Sequence, residues 1–353
     1  MIPTSALTFC VALVIAAILT PIARSLALRL KILDQPDPRK IHSSPKPLLG
    51  GVAIYLSVVL SLLLVVEAPL RIQIISLVAA ATVLVAVGLA DDCISLSARL
   101  KLFLAIPMAG LILAIGGFRV TTFPLGSLLD SLPGVALVFS YLLTILWVVA
   151  ITSAFAILDH MDGLCAGLAA LASCFFLLFS LMHDQVLASL LSAAMLGANL
   201  GFLKWNFKPA TIFMGDSGAM FVGLMMSAMG IMLGFNDMTI QTGWMIPILI
   251  LGIPIFDSTL VVISRSRRGL APSQSPGKDH TAHRLAALGL GEYKAVLILY
   301  GCGLGLGGAS LSIAWFTTIQ SCLLFSALLL CWVLAVVWLE RTPYERQESG
   351  LSK

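Results

Sequence analysis

Apolar residues run along the chain in windows of about 20, separated by short polar stretches, the length a helix needs to cross the hydrocarbon core of a bilayer. Eleven such windows can be drawn, near 5–27, 49–66, 72–90, 100–117, 135–157, 163–182, 185–203, 217–235, 243–264, 293–314 and 317–339, followed by a polar tail at 340–353. The pattern predicts an all-α polytopic membrane protein, a bundle of about eleven transmembrane helices forming a single integral membrane domain over residues 1–353. The first run, from Thr4 to Leu28, has no basic residue before it and no small-residue cleavage site, which predicts a retained helix rather than a signal peptide. No internal or inverted repeat of the transporter kind is present.

Composition agrees with this and narrows the function. Of 353 residues, 59% are hydrophobic and 11% charged, against roughly 25% charged in soluble domains. Short loops exclude a large soluble catalytic domain. A net charge of +4 is too small for a nucleic-acid footprint, so the expected partner surface is the lipid bilayer and no nucleic acid. Seven cysteines without a CxxC pair predict neither a disulfide framework nor a zinc site.

The placement of charge is more informative than its sum. With eleven helices, 19 of the 21 Lys and Arg residues fall on one side, leaving Arg71 and Arg119 opposite. Basic residues accumulate in cytoplasmic loops, so the odd-numbered loops and the tail are read as cytoplasmic and the N-terminus as external. All acids except Glu67, Asp130, Asp184 and Asp237 fall on that inner side or in helix nine. Loop polarity alone does not explain acids clustered among bases.

Helix three ends in Asp91-Asp92, with Lys101 following. Adjacent carboxylates repel unless a cation lies beside them, which suggests a divalent metal or a raised pKa suited to a general base; the bland reading is a solvated helix end. After helix five, Asp159 and Asp162 are spaced to share one helical face and a metal, or to cap helix six. The stretch Asn206 to Gly218 is polar and glycine-punctuated, with Asp216 either a ligand near the amides of helix eight or a helix cap. Oxygen ligands without cysteine or histidine at metal-ligand spacing favour Mg²⁺, or Mn²⁺, over zinc.

Two inner loops add cations. Asp279-His280-Thr281-Ala282-His283-Arg284 supplies planar donors suited to a phosphate or sugar, behind an Arg265, Arg267, Arg268 cluster that reads as positive-inside anchoring of a helix end or as a lipid phosphate contact. The first loop carries Arg39, Lys40 and His42 among prolines, which preorganise an anion site or merely shape a turn. Asp257 lies inside helix nine, where an unpaired charge is expensive, and is expected to face the bundle interior in a packing or catalytic role.

In this order the motifs resemble the polyprenyl-phosphate N-acetylhexosamine-1-phosphate transferases, particularly the branch using N-acetylglucosamine-type donors. The resemblance rests on Pro36 to His42 with Gly50-Gly51, Asp91-Asp92 with Lys101, Asp159 to Leu164, Asn206 to Gly218, and Asp279 to Leu285. It implies transfer of a sugar-1-phosphate from a UDP-sugar to undecaprenyl phosphate, releasing UMP, at the cytoplasmic face of a bacterial inner membrane. It further implies Asp216, with Asp92, as Mg²⁺ ligands, and Asp91 and Asp92 as the pair that binds or prepares the acceptor phosphate. Asp159, Asp162, Asn206 and Phe213 would surround the nucleotide and metal. Lys101 would bind phosphate, and Arg39, Lys40, His42, His280, His283 and Arg284 would contact the substrates.

Where asparagines are common in the family, this chain has Ser153, Ala156 and His160. That departure motivates a second reading, a catalytically silent scaffold or lipid carrier that binds polyprenyl phosphate. A transporter is a third, opposed by the lack of broken paired helices and by the inward clustering of acids. Fragments are shared with intramembrane aspartyl proteases at Met214-Gly215-Asp216 and with prenyltransferases at Asp159 to Asp162, but neither class explains the His280 or proline-rich loops. A homodimer is compatible with the glycines of helix ten, Gly301, Gly303, Gly305, Gly307 and Gly308.

Overall fold

The computed structural model describes residues 2–36, 44–65, 71–121, 132–233, 240–270 and 277–342. The chain is all-α and polytopic. Its helices are α1 (Ile2–Leu30), α2 (Gly50–Val65), α3 (Arg71–Ile94), α4 (Ala98–Ile115), α5 (Pro133–Leu158), α6 (Leu164–Met182), α7 (Val186–Asn206) and α8 (Gly215–Met232), then three pieces α9a (Ile240–Gly243), α9b (Met245–Ile250) and α9c (Gly252–Arg267), then α10a (Thr281–Leu285), α10b (Gly291–Ile313) and α11 (Thr318–Arg341). Among the described residues nine helices are long and apolar enough to cross a membrane; α2, at 16 residues, and the divided α9 complete the eleven predicted windows. Between α1 and α2, β1 (Leu33–Asp34) and β2 (Lys46–Pro47) pair antiparallel, Leu33 opposite Pro47.

Two helices depart from the predicted continuity. The unbroken helix expected over 243–264 is instead interrupted at Trp244 and Leu251. Pro247 and Pro254 have no amide hydrogen to donate to the preceding turn, and hydropathy does not register that loss. In α4, Lys101–Ala105 form one wide π turn before Pro107, the kind of local insertion that re-aims a side chain.

At the centre of the bundle is α8, with 83% of its most apolar window buried, whereas only 11% of the corresponding window of α11 is buried, which puts α11 on the rim. Exposed Ile72, Phe103, Trp315 and Ile319 give the rim an apolar surface suited to lipid. Small residues allow the inner helices to meet backbone to backbone. Gly197 and Gly201 of α7 lie against the Phe9 and Leu13 carbonyls of α1, where a Cβ would come within 2.3 and 2.6 Å of those oxygens. Gly223 of α8 meets Thr152 of α5 in the same way, and Trp147 donates from α5 to the Ser227 carbonyl at 3.1 Å.

Candidate active site

Three helix ends converge on the start of α8. Gly215 takes the left-handed φ of +71° that opens the helix, a conformation favoured for a residue without Cβ. Gly51 of α2 lies against the Gly218 backbone, and its amide donates to the Met214 carbonyl at 2.8 Å. Gly88 of α3 lies against the Ser217 backbone, one turn before the paired acids. This contact brings Asp92 over the helix terminus, where its Oδ1 accepts from the Asp216 amide at 2.8 Å and its Oδ2 from the Ser217 amide at 3.3 Å.

The sequence left Asp216 as a possible cap of its own helix. The cap is Asp92, reaching across from α3, and Asp216, second residue of α8, is left to project its carboxylate elsewhere. Its partner is Lys101, whose Nζ donates to Asp216 Oδ2 and, at 2.8 Å, to Asp91 Oδ2. Asp91 Oδ1 accepts from the Leu96 amide. Asp91 and Asp92 thus resolve their repulsion by facing different partners, a lysine and a helix terminus.

Asp159 and Asp162 do not share a helical face, because α5 ends at Leu158 and Asp159 has φ −79°, ψ 64°. Nor does Asp162 cap α6, whose N-cap is Gly163 without a side-chain bond; Asp162 instead accepts from the Ala210 amide at 2.9 Å. Burial, together with the charges of Asp216, Asp92, Asp162 and Asp34, pushes the Asp159 carboxyl up to about 7. Between its ordinary 3.8 and about 7 the native chain holds a proton that the unfolded chain releases. Stability is therefore expected to fall as pH rises through that window and to level off above it. Melting temperatures of wild type and Asp159→Asn across pH 4 to 8 check this: the variant should show a shallower slope and be the more stable at the alkaline end.

Asn206 is buried and structural in its bonds. Its Oδ1 accepts from the Gly163 amide at 3.1 Å and its Nδ2 donates to the Ile212 carbonyl at 3.0 Å, locking the two site segments together. Tyr300 of α10b, not singled out in the sequence, adds a bond from its hydroxyl to the Gly163 carbonyl at 2.6 Å, and Lys46 donates to the Ala210 carbonyl at 2.8 Å. A lone tyrosine in an apolar window, with a hydroxyl that needs a partner, was the available signal. Asn206→Ala orphans two buried backbone groups and is expected to cost about 2 kcal/mol or more, read as a lowered melting temperature in detergent. Phe213 stands at the same junction, its amide donating to the Pro47 carbonyl at 2.8 Å.

The His280 segment is pinned from the interior. Asp257 is buried, as expected, and accepts from Thr281 N at 2.7 Å with His280 Nδ1 at 2.8 Å. Asp279 binds Arg265 through two bonds and Arg268 through one; burial raises its carboxyl, but the Arg265 bond and charge outweigh that and hold it at about 2. Arg284 was expected to contact a substrate. It is fully buried instead, bonded to the Asp279 and Leu339 carbonyls and to Ser264 Oγ, and paired with Glu340 at 2.7 Å. His283 is partly exposed beside His160, their ring centroids 4.8 Å apart. Arg39, Lys40 and His42 lie outside the described residues.

What the structure brings together is therefore Asp91, Asp92, Lys101 and Asp216 in direct contact, with Asp159 near enough to feel the charges of Asp92 and Asp216 and Asp162, Asn206 and Phe213 shaping the adjoining loop. The description of glycosyl transferase family 4 matches residues 74–234, a range that holds all eight. Along most of its length the chain is similar to a probable undecaprenyl-phosphate N-acetylglucosaminyl 1-phosphate transferase of Bacillus subtilis, 35% identical over 83% of this chain and 80% of the relative. It is also similar to a decaprenyl-phosphate N-acetylglucosaminephosphotransferase of Mycolicibacterium smegmatis, 33% identical over 81% of this chain and 77% of the relative. An undecaprenyl-phosphate alpha-N-acetylglucosaminyl 1-phosphate transferase of Thermotoga maritima is 28% identical over 81% and 83% respectively. With these motifs, this fold and relatives of that identity and coverage, the chain belongs to glycosyl transferase family 4, the polyprenyl-phosphate N-acetylhexosamine-1-phosphate transferases.

Proposed function

We propose that this protein transfers an N-acetylhexosamine-1-phosphate, in the first instance N-acetylglucosamine-1-phosphate, from a UDP-sugar to undecaprenyl phosphate at the cytoplasmic face of a bacterial inner membrane. The observation that carries the reading is the single lysine, Lys101, held between Asp91 and Asp216 at the mouth of α8, beside Asp92. An oxygen of the acceptor phosphate forms a bond to the phosphorus that carries the sugar. The bond from that phosphorus to the bridging oxygen breaks, and UMP leaves with the electron pair.

Both substrates are anions, so the protein must offset their repulsion before the phosphoryl centre can be attacked in line. Asp216 offers a carboxylate, and each oxygen of Asp92 keeps a lone pair beyond its amide bond, so the pair forms an oxygen donor set suited to a hard divalent cation. Bound there, Mg²⁺, or Mn²⁺ as a substitute, supplies charge neutralisation at the phosphoryl oxygens. Lys101 is positioned to hand its charge from the carboxylates to an incoming phosphate. The acceptor, a phosphate monoester with a second pKa of about 6, is largely dianionic near neutral pH and needs little help from a base. Asp91 then serves to hold Lys101 and to take up the remaining proton when the acceptor arrives protonated.

The test is UMP release by purified protein in detergent with Mg²⁺, undecaprenyl phosphate and a panel of UDP-sugars. Release that requires acceptor and metal, and is fastest with one UDP-N-acetylhexosamine, is the expected result. Silence across the panel, with polyprenyl phosphate still bound, overturns it in favour of a binding scaffold.

A further inference from the structure

Apart from the carboxylate cluster the fold assembles a second group of side chains, of which the transferase reading assigns only His280 and His283, as substrate contacts, and leaves His160 and Asp257 without a task. His160 lies in the segment after α5, Asp257 on α9c, and His280 just before α10a. One ligand atom from each lies within 4.8 Å of the others. The His160 ring meets that of His280 edge-on, with centroids 4.0 Å apart, and His283 completes a trio of imidazoles.

His160 is the anomalous member. Both its ring nitrogens are buried, and neither has a hydrogen-bond partner among the described residues. A neutral imidazole carries one donor and one acceptor, and leaving both unmet inside a protein is costly. Burial and the neighbouring His280 hold this ring well below its ordinary pKa, so it presents a nitrogen lone pair rather than a cation. Asp257, the only carboxylate in the group, has its described bonds with His280 and the Thr281 amide.

We propose that His160, Asp257 and His280 bind a divalent transition-metal ion of the Zn²⁺ class, separate from the cation site at Asp216. Two imidazoles and a carboxylate are a three-ligand set that such an ion accepts, with a fourth position open to water or to His283. Imidazole nitrogen selects against Mg²⁺, so the two sites take different ions from the same solution. Zn–N and Zn–O distances of about 2.0 to 2.2 Å require the ligand atoms to draw closer. His160 lies in a non-helical segment, where its ring can move to do so. The ion would tie the segment that carries Asp159 to α9c and to the His280 segment.

The full-length protein, stripped of metal and held in excess Mg²⁺, is titrated with Co²⁺ alone and then with Zn²⁺ as competitor. The expected result is one equivalent of Co²⁺ with a visible absorption band, displaced by Zn²⁺, with affinity lowered at least 100-fold in His160→Ala and unchanged in Asp216→Asn. Unchanged binding in His160→Ala, or loss of the band in Asp216→Asn, overturns the proposal, as does the absence of stoichiometric binding by wild type. Should His160→Ala not fold, X-ray absorption of the Zn²⁺-loaded wild type decides: two or more imidazoles in the shell support the site, and one or none overturns it. UMP release is not part of this readout, so failure here leaves the transferase reading standing.

Discussion

Asp216→Asn is expected to leave a folded protein whose acceptor-dependent UMP release is slower by at least about 10³, roughly 4 kcal/mol of lost transition-state stabilisation. The substitution keeps an oxygen where Asp216 has one but removes the charge that faces both Lys101 and the proposed cation. Lys101 stays paired with Asp91, and the amide bonds of Asp92 to the start of α8 are made by backbone, so the local fold has no reason to collapse. Rates measured across a Mg²⁺ titration, with the melting temperature as control, separate the two effects. A variant with wild-type turnover and wild-type metal dependence would remove Asp216 from the reaction.

Gly88→Ala is the second large effect, and it needs no change of charge. A Cβ at Gly88 would stand 2.4 Å from Ser217 Cα and 2.5 Å from Ser217 N, and these are backbone atoms with no rotamer to yield. Either α3 or the start of α8 must shift. Overpacking of this kind costs about 1–3 kcal/mol or more, and a displacement of about 1 Å at a reacting group costs on the order of 10² in rate. Melting temperature and UMP release should therefore fall together. Gly301→Ala is the matched control: a Cβ there meets nothing within 4 Å, and both quantities should stay near wild type.

Much of this architecture is legible in the sequence because hydropathy windows report length and polarity directly. The ends of α3, α5 and α7 follow from where polar residues resume, and Asp91 and Asp92 at the end of α3, Lys101 near the start of α4 and Asp216 at the start of α8 stand out as charges beside apolar windows. The direction each polar group faces is not legible in the same way. Asp159 and Asp162 have helical spacing, but the helix stops one residue short of the first. Arg284 reads as a loop donor, yet the chain turns it inward against the end of α11, a contact that no local pattern encodes. The breaks in α9 follow from two prolines whose apolar side chains keep the window hydrophobic. The cap of α8 by Asp92 and the meeting of His160 with Asp257 and His280 join residues far apart in the chain, so spacing rules cannot find them.

The glycine contacts at Gly51, Gly88 and Gly218 set which substitutions this site can absorb singly. Each faces the backbone of another segment, so a side chain gained at one position requires compensating movement elsewhere. Ser153 and Ala156, near the end of α5, are under no such constraint. They differ from neighbouring possibilities only in side-chain atoms, and Ser153 Oγ has no hydrogen-bond partner among the described residues to forfeit. Changes of side chain are thus open to this chain one residue at a time at Ser153 and Ala156, while the glycine contacts at the start of α8 can change only together.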